Sequence, residues 1–292
     1  MSVSVIIPTL NAERELPELL QMLAAQTVQA DEIIVVDSES SDRTADIAKK
    51  AGARVLSVRR GDFDHGKTRD WALRESSGDS IVFLTQDAIP ADKYFLENML
   101  NAISEDRIAV ASGHQLPKED ASPIERLIRE YNYPAVSCVW SEADVERRGI
   151  KAFFCSDACA VYNREIYLEL GGFDYPLKTN EDMFFAAWAI RNGFRVAYTA
   201  DARVYHSHNF TLKQQYHRNY IQGYEIERHR KMIGNASQEK EGIKLFRFVS
   251  SGLLRKGRIL SFFRFGLDCC ARLLGSRAGR KQALCEARVC IK

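Results

Sequence analysis

Residues 33–42 read Ile-Ile-Val-Val-Asp-Ser-Glu-Ser-Ser-Asp. Four β-branched residues followed by an acid and small polar residues describe a buried strand that stops at Asp37 and passes through a loop into a helix. Comparable apolar runs stand on both sides, at Val3 to Ile7, Val55 to Val58 and Ile81 to Leu84. Between them lie segments with helical spacing, such as Leu16, Leu19, Leu20 and Leu23, or Ile47, Ala48 and Ala51 ahead of Gly52. Val/Ile runs separated by helices are the pattern of parallel strands covered on both faces, so the first half reads as βαβ units of an α/β sheet. From about Ile108 the runs shorten (Ala109 to Ser112, Ala158 to Tyr162, Val196 to Thr199), with helices near Pro123 to Tyr131 and Asp182 to Arg191. These strands are expected to extend the same sheet and make it mixed. A polar helix over Leu212 to Met232 and a break at Gly234 to Gln238 then divide a domain at 1–238 from a helical tail at 239–292.

The 292 residues are 46% hydrophobic and 27% charged, with 17 Gly and 7 Pro, which excludes collagen-like and low-complexity classes. The net charge of +2 conceals an asymmetry. Residues 241–292 hold 12 Lys/Arg against 3 Asp/Glu, net +9, and the rest of the chain is net −7. No run of 18 apolar residues and no signal-peptide pattern occurs, so a cytoplasmic location is expected. The seven cysteines (Cys138, Cys155, Cys159, Cys269, Cys270, Cys285, Cys290) show no zinc or disulfide spacing and are read as reduced thiols. An acidic body without a nucleic-acid motif leaves no nucleic-acid partner.

In a sheet of this kind ligands gather at the carboxyl ends of the strands, where the loops are free to vary. Those ends are Pro8 to Asn11, Asp37 to Asp42, Arg59 to Arg69, and Gln86 with Asp87. Asp37, desolvated at a strand end, needs a donor such as a nucleobase imide N–H, although Ser41 or Asp42 can also simply cap the following helix. His65, Lys67 and Arg69 at a helix start suit a phosphate, or else form a solvated turn. Asp87 is placed to hold one edge of a diphosphate-bound Mg2+ or Mn2+, or to form a turn. Glu181 and Asp182 open a helix beside the cleft, where a general base is useful and where the helix dipole favours acids in any case. His206 and His208, two apart on an extended segment, point the same way, and one of them can complete a metal site.

The order of these elements resembles the family 2 glycosyltransferases of the GT-A fold. The likeness is carried over about residues 3–230 by VSVIIPTLN, VVDSESSDRT, the QDA after a strand, Gly171-Gly172-Phe173-Asp174, Asn180-Glu181-Asp182 and the late His206. FDHGKTR at 63–69, LTQDA at 84–88 and HSHN at 206–209 are similar to bacterial rhamnosyltransferases that use dTDP-rhamnose for O-antigen and related polysaccharides. The resemblance implies a GT-A mixed sheet flanked by helices, with a C-terminal helical extension. It implies that Pro8, Thr9 and Asn11 line the nucleotide pocket with Asp37 at the base, that His65, Lys67, Arg69, Gln86 and Glu181 serve the nucleotide sugar, and that Arg69 faces the diphosphate. By the same likeness Asp87 and His206 hold Mg2+ or Mn2+, Asp182 is the catalytic base, and the acceptor is a saccharide, lipid-linked in such pathways. One departure is Thr85-Gln86-Asp87, which lacks the first acid of the family's DxD element. That departure keeps open a nucleotide-sugar-binding protein without transfer activity, and a UDP- or GDP-sugar donor is the other alternative.

Residues 243–274 interleave Phe, Leu and Ile with Lys and Arg. Such a pattern suits helices lying at an anionic membrane surface, which would make the protein peripheral at the inner face of the membrane. The alternative is two helices packed on the catalytic domain or on a second subunit, and the oligomeric state is left open.

Overall fold

The computed structural model describes residues 2–234 and 238–289. The elements are β1 (Val3–Thr9), α1 (Leu16–Ala24), β2 (Glu32–Asp37), α2 (Thr44–Lys50), β3 (Arg54–Ser57), α3 (His65–Glu75), β4 (Ser80–Leu84), β5 (Ile89–Pro90), α4 (Phe95–Ile103) and β6 (Ile108–Leu116). They continue through α5 (Pro123–Asn132), β7 (Cys138–Trp140), α6 (Glu142–Arg148), β8 (Cys159–Asn163), α7 (Arg164–Glu169), α8 (Glu181–Arg191) and β9 (Arg195–Tyr205). Four helices close the chain: α9 (Leu212–Arg228), α10 (Arg230–Ile233), α11 (Gln238–Arg255) and α12 (Ile259–Val289).

The strands join in one sheet of order β3-β2-β1-β4-β8-β6-β9-β5, with β7 added beside β9. β3, β2, β1 and β4 are mutually parallel, and β8 then runs antiparallel to both β4 and β6. The sheet is therefore mixed, as expected. Alternation along each strand divides the core in two. Val3, Val5 and Ile7 of β1, with Val35 of β2 and Val82 and Leu84 of β4, face the helices α1 and α4. Ile6, Ile34, Val36, Ile81 and Phe83 face α3 and α8 on the other side. All of these side chains are fully buried, and each contributes roughly 1.5–3 kcal/mol of burial free energy.

Two boundaries differ from the sequence reading. β9 continues to Tyr205, six residues past Thr199, because its pairing with β6 shifts register between Gly113/Thr199 and His114/Arg203. The irregularity absorbs the extra residues and lets the ladder resume. The helix expected over 212–232 ends at Arg228 and restarts as α10 after His229. Of the break expected at Gly234 to Gln238, residues 235–237 lie outside the described residues.

The C-terminal helices are packed on the body. Val249 and Leu253 of α11 and Phe265 of α12 form a small core with Leu127 and Ile128 of α5. α12 lies against α9 through a seam of glycines: a methyl group at Gly275 or Gly279 would collide with the backbone of Tyr216 or Tyr220. The other face of these helices is apolar and open, with Leu260 87%, Phe263 65% and Leu267 57% exposed. No helix among the described residues is long and apolar enough to cross a membrane.

Candidate active site

The loops that follow β1, β2 and β4 are tied to one another. Gln86 accepts from the Leu10 amide at 2.8 Å and donates to the Leu10 carbonyl at 3.3 Å. Asn11, in a left-handed backbone conformation (φ 50°), donates its amide to Ser40 Oγ and accepts from the Ser41 amide at 2.9 Å. Thr9 donates its hydroxyl to the Val36 carbonyl, and Pro8 precedes it on β1. Asp37 closes β2 and is buried. Its Oδ2 accepts from the Ser40 amide at 3.2 Å, while Oδ1 has no hydrogen-bond partner among the described residues. A buried carboxylate oxygen left in that state is costly and is relieved by a ligand N–H.

Beside this rim opens a cavity of about 570 Å3 that brings together His65, Arg69, Asp87, Glu181, Asp182 and His206. α3 and α8 start on it. Asp64 caps α3 by accepting from the Lys67 amide, and its other oxygen takes the Leu177 amide, which fixes the segment leading into α8. Lys67 itself points to solvent and does not line the cavity. His65 is half exposed, with Nδ1 4.0 Å from Glu181.

One turn on, Arg69 is buried between two acids: Nη1 lies 3.1 Å from Glu181 Oε1, and Nε 3.5 Å from Asp157 Oδ2. Asp157 also accepts from the Tyr162 hydroxyl at 2.6 Å, and its amide donates to Asp182 Oδ2 at 3.1 Å. Three carboxyl groups thus surround one guanidinium. Burial pushes the Asp157 carboxyl well above the usual carboxylate range, with Asp182 and Glu181 adding repulsion against the pull of Arg69. Asp182 is pushed up to about 7, first by burial and then by the neighbouring Glu181. A carboxylate poised there takes a proton efficiently at neutral pH.

Across the cavity Asp87 meets the end of β9. His206 Nε2 lies 3.5 Å from Asp87 Oδ1, and His208 Nε2 3.6 Å from Oδ2. Ligand atoms of these three residues all fall within 4.8 Å of one another. His206 Nδ1 is 2.8 Å from Gln115 Oε1, whose amide nitrogen donates to Ser156 Oγ, so Nδ1 carries the proton and the Nε2 lone pair faces Asp87. Two imidazole nitrogens and a carboxylate, with one imidazole oriented from behind, fit a divalent cation. Lys118 Nζ lies 3.1 Å from Asp87 and supplies positive charge at the same place. Burial alone would raise the Asp87 carboxyl, but His206, Lys118 and His208 outweigh it and hold it well below the usual range. Burial first, and then the positive charge that His206 carries whenever it is protonated, pushes His208 down to about 4, so a neutral imidazole stands beside Asp87 at neutral pH.

Sequence reasoning did not single out Asp157, Gln115 or Lys118. Each is an isolated polar residue near a strand end, joined to the site only by the fold. His208 was marked by its spacing from His206, and the structure places both histidines on Asp87.

The architecture is shared with solved glycosyltransferases. The mannosyltransferase of Pyrobaculum calidifontis, in complex with GDP-Man and Mn2+, superposes with a TM-score of 0.67 at 17% identity, covering 95% of this chain and 86% of that one. TarS 1-349 of Staphylococcus aureus in complex with UDP-GlcNAc gives 0.59 at 19% identity, covering 97% and 92%. Polar loops after β1 and β2, an acid after β4 and paired acids at the start of α8 stand here on the GT-A fold. Residues 4–171 match glycosyl transferase family 2, and the chain belongs to that family. Similar curated proteins include the O-antigen chain rhamnosyltransferase RfbN of Salmonella typhimurium, 40% identical over 225 residues (76% of this chain, 72% of that one). WbaN of Salmonella anatum, also an O-antigen chain rhamnosyltransferase, is 38% identical over 224 residues, 76% and 71% of the two chains.

Proposed function

We propose that this glycosyltransferase is inverting and moves L-rhamnose from dTDP-rhamnose to a hydroxyl of a lipid-linked saccharide during cell-surface polysaccharide synthesis. The observation that carries the reading is the placement of Asp182, a carboxyl group that titrates near neutrality, in one cavity with the Asp87, His206 and His208 cluster. Identity to two O-antigen chain rhamnosyltransferases supports the choice of sugar.

In this reading the nucleobase imide donates to the open Oδ1 of Asp37, and Pro8, Thr9 and Asn11 frame the nucleoside. Asp182 takes the proton of the acceptor hydroxyl as that oxygen attacks C1, and the bond from C1 to the diphosphate oxygen breaks in the same displacement. Glu181 is held by Arg69, so one carboxylate is left to act as base, which suits a single inverting step. Arg69 acts here by positioning Glu181 and Asp157 rather than by reaching out to the diphosphate. Asp87, His206 and His208 would hold a Mn2+ or Mg2+ ion, which would neutralise charge on the departing diphosphate. The two imidazole ligands favour Mn2+, since Mg2+ prefers oxygen alone. The open apolar face of α11 and α12, set among Lys and Arg, seats the enzyme on the anionic inner face of the membrane.

Incubation with dTDP-rhamnose and, separately, with UDP- and GDP-sugars, followed by mass spectrometry and NMR of the product, tests the reading. Transfer from dTDP-rhamnose with inversion at C1 is expected. Hydrolysis or binding without transfer, or preference for another nucleotide sugar, overturns it.

A further inference from the structure

A second cavity of about 450 Å3 opens beside the first. The two share Glu125, Ile128, His208, Phe210, Gln215 and Arg272 as lining residues, so they lie side by side. On α12 the second cavity is lined by Leu260, Arg264, Asp268 and Arg272, residues four apart that form one stripe along the helix. The outer end of the stripe is the exposed Leu260, and the inner end, Arg272, reaches the catalytic cavity.

Guanidinium groups from three helices gather at that inner end: Arg129 of α5, Arg218 of α9 and Arg272 of α12. Arg129 pairs with Glu125 at 2.7 Å and Arg272 with Asp268 at 2.6 Å. Among the described residues Arg218 and Arg264 have no carboxylate within ion-pair distance, and the Arg218 guanidinium stacks 4.4 Å from the Phe210 ring centroid. Counting these four arginines against Glu125 and Asp268, the corner holds two more cations than anions. Burial, then the charges of Arg272 and Arg129, lowers the affinity of Arg218 for its proton, as expected where like charges meet without an anion between them.

The corner lies on the β6–β9 side of Asp87, whereas the nucleotide rim lies on the β1–β2 side. The donor's own diphosphate is accounted for at Asp87. We propose that Arg218, Arg264 and Arg272 bind a second phosphate or diphosphate group, carried by the acceptor, which enters along the α12 stripe. Planar guanidinium forks match phosphoryl oxygens, and four such groups exceed what two local carboxylates neutralise. The inference rests on the glycosyl-transfer reading for the word acceptor, but the anion site itself stands on the arginines.

Inorganic pyrophosphate, titrated calorimetrically into full-length protein saturated with dTDP and Mn2+, is expected to bind at one further site. Arg272→Gln and Arg218→Gln should each weaken that event at least about tenfold while changing dTDP affinity less than twofold. Arg264→Gln, at an exposed position that cannot unsettle the fold, should weaken it about threefold or more. In a kinetic arm, a saccharide with a reducing-end phosphate should be preferred over the same saccharide without it, by kcat/KM, and Arg264→Gln should reduce that preference. Absence of pyrophosphate binding beside dTDP and Mn2+ overturns the proposal. So does a loss of dTDP affinity in the arginine variants, which would assign the corner to the donor's leaving group. If the parent enzyme transfers to neither saccharide, the functional reading fails, and the calorimetric arm still decides the anion site.

Discussion

Gln115 Oε1 accepts a hydrogen bond from Nδ1 of His206 across 91 residues of sequence, and Oε1 also receives the Arg129 guanidinium. This carbonyl sets which imidazole nitrogen faces Asp87. Gln115→Leu keeps the volume and removes the hydrogen bond. Mn2+ affinity, measured by titration of the full-length protein, should fall about 10- to 100-fold. Unchanged affinity would show that Gln115 does not orient the ligand.

Asp182→Asn should retain dTDP binding and lose transfer by about a hundredfold or more, since the amide keeps the shape and cannot accept the proton. In the parent, kcat/KM should rise with pH and level off above about 7, where the carboxyl becomes ionised. Activity within tenfold of the parent would remove Asp182 as the base.

The same group makes a stability prediction. Its pKa is raised in the folded state from an ordinary value of 3.8 to about 7, so the stability it contributes is fully present below about pH 3.8 and is lost as pH rises through 7. Asp182→Asn should therefore melt higher than the parent at pH 8, by about 2 °C or more, with the difference shrinking toward pH 4. Equal Tm values at both pH values would contradict the raised pKa.

Transfer should cease in excess EDTA and return with Mn2+ more fully than with Mg2+. Asp87→Ala should lose both the activity and the Mn2+ response. Full turnover in EDTA would leave Lys118, beside Asp87, to serve the leaving group without a metal ion.

The glycine seam predicts that Gly279→Leu destabilises the protein by at least about 2 kcal/mol, since the side chain would meet the backbone at Tyr220. Intact protein should bind anionic liposomes less tightly as salt is added, but not lose them, because apolar insertion at Leu260 and Phe263 persists. Indifference to anionic liposomes together with dimerisation in solution would assign the open face to a second copy of the chain.

Much of this was legible from local pattern. Runs of Val and Ile marked the strands, and the acid closing each run marked the edge of the sheet where Asp37 and Asp87 stand. Asp182 and His206 were visible through motif order. What was hidden depended on partners far away in the chain. Arg69 reads as a cation free to meet a phosphate, and only the fold brings Glu181, 112 residues on, to within 3.1 Å. No local pattern marks Gly275 and Gly279, which permit the close approach of α12 to α9. The interleaved charge of the tail told of amphipathicity but not of which stripe turns inward, so Arg272 could not be assigned to the cavity.

The seam between α9 and α12 also bears on how the enzyme matures. Arg272 reaches the candidate catalytic cavity only after a helix late in chain order has emerged and docked on one made more than fifty residues earlier. Polypeptides released from the ribosome before that helix is complete would carry every strand of the sheet and a cleft still lacking its α12 wall.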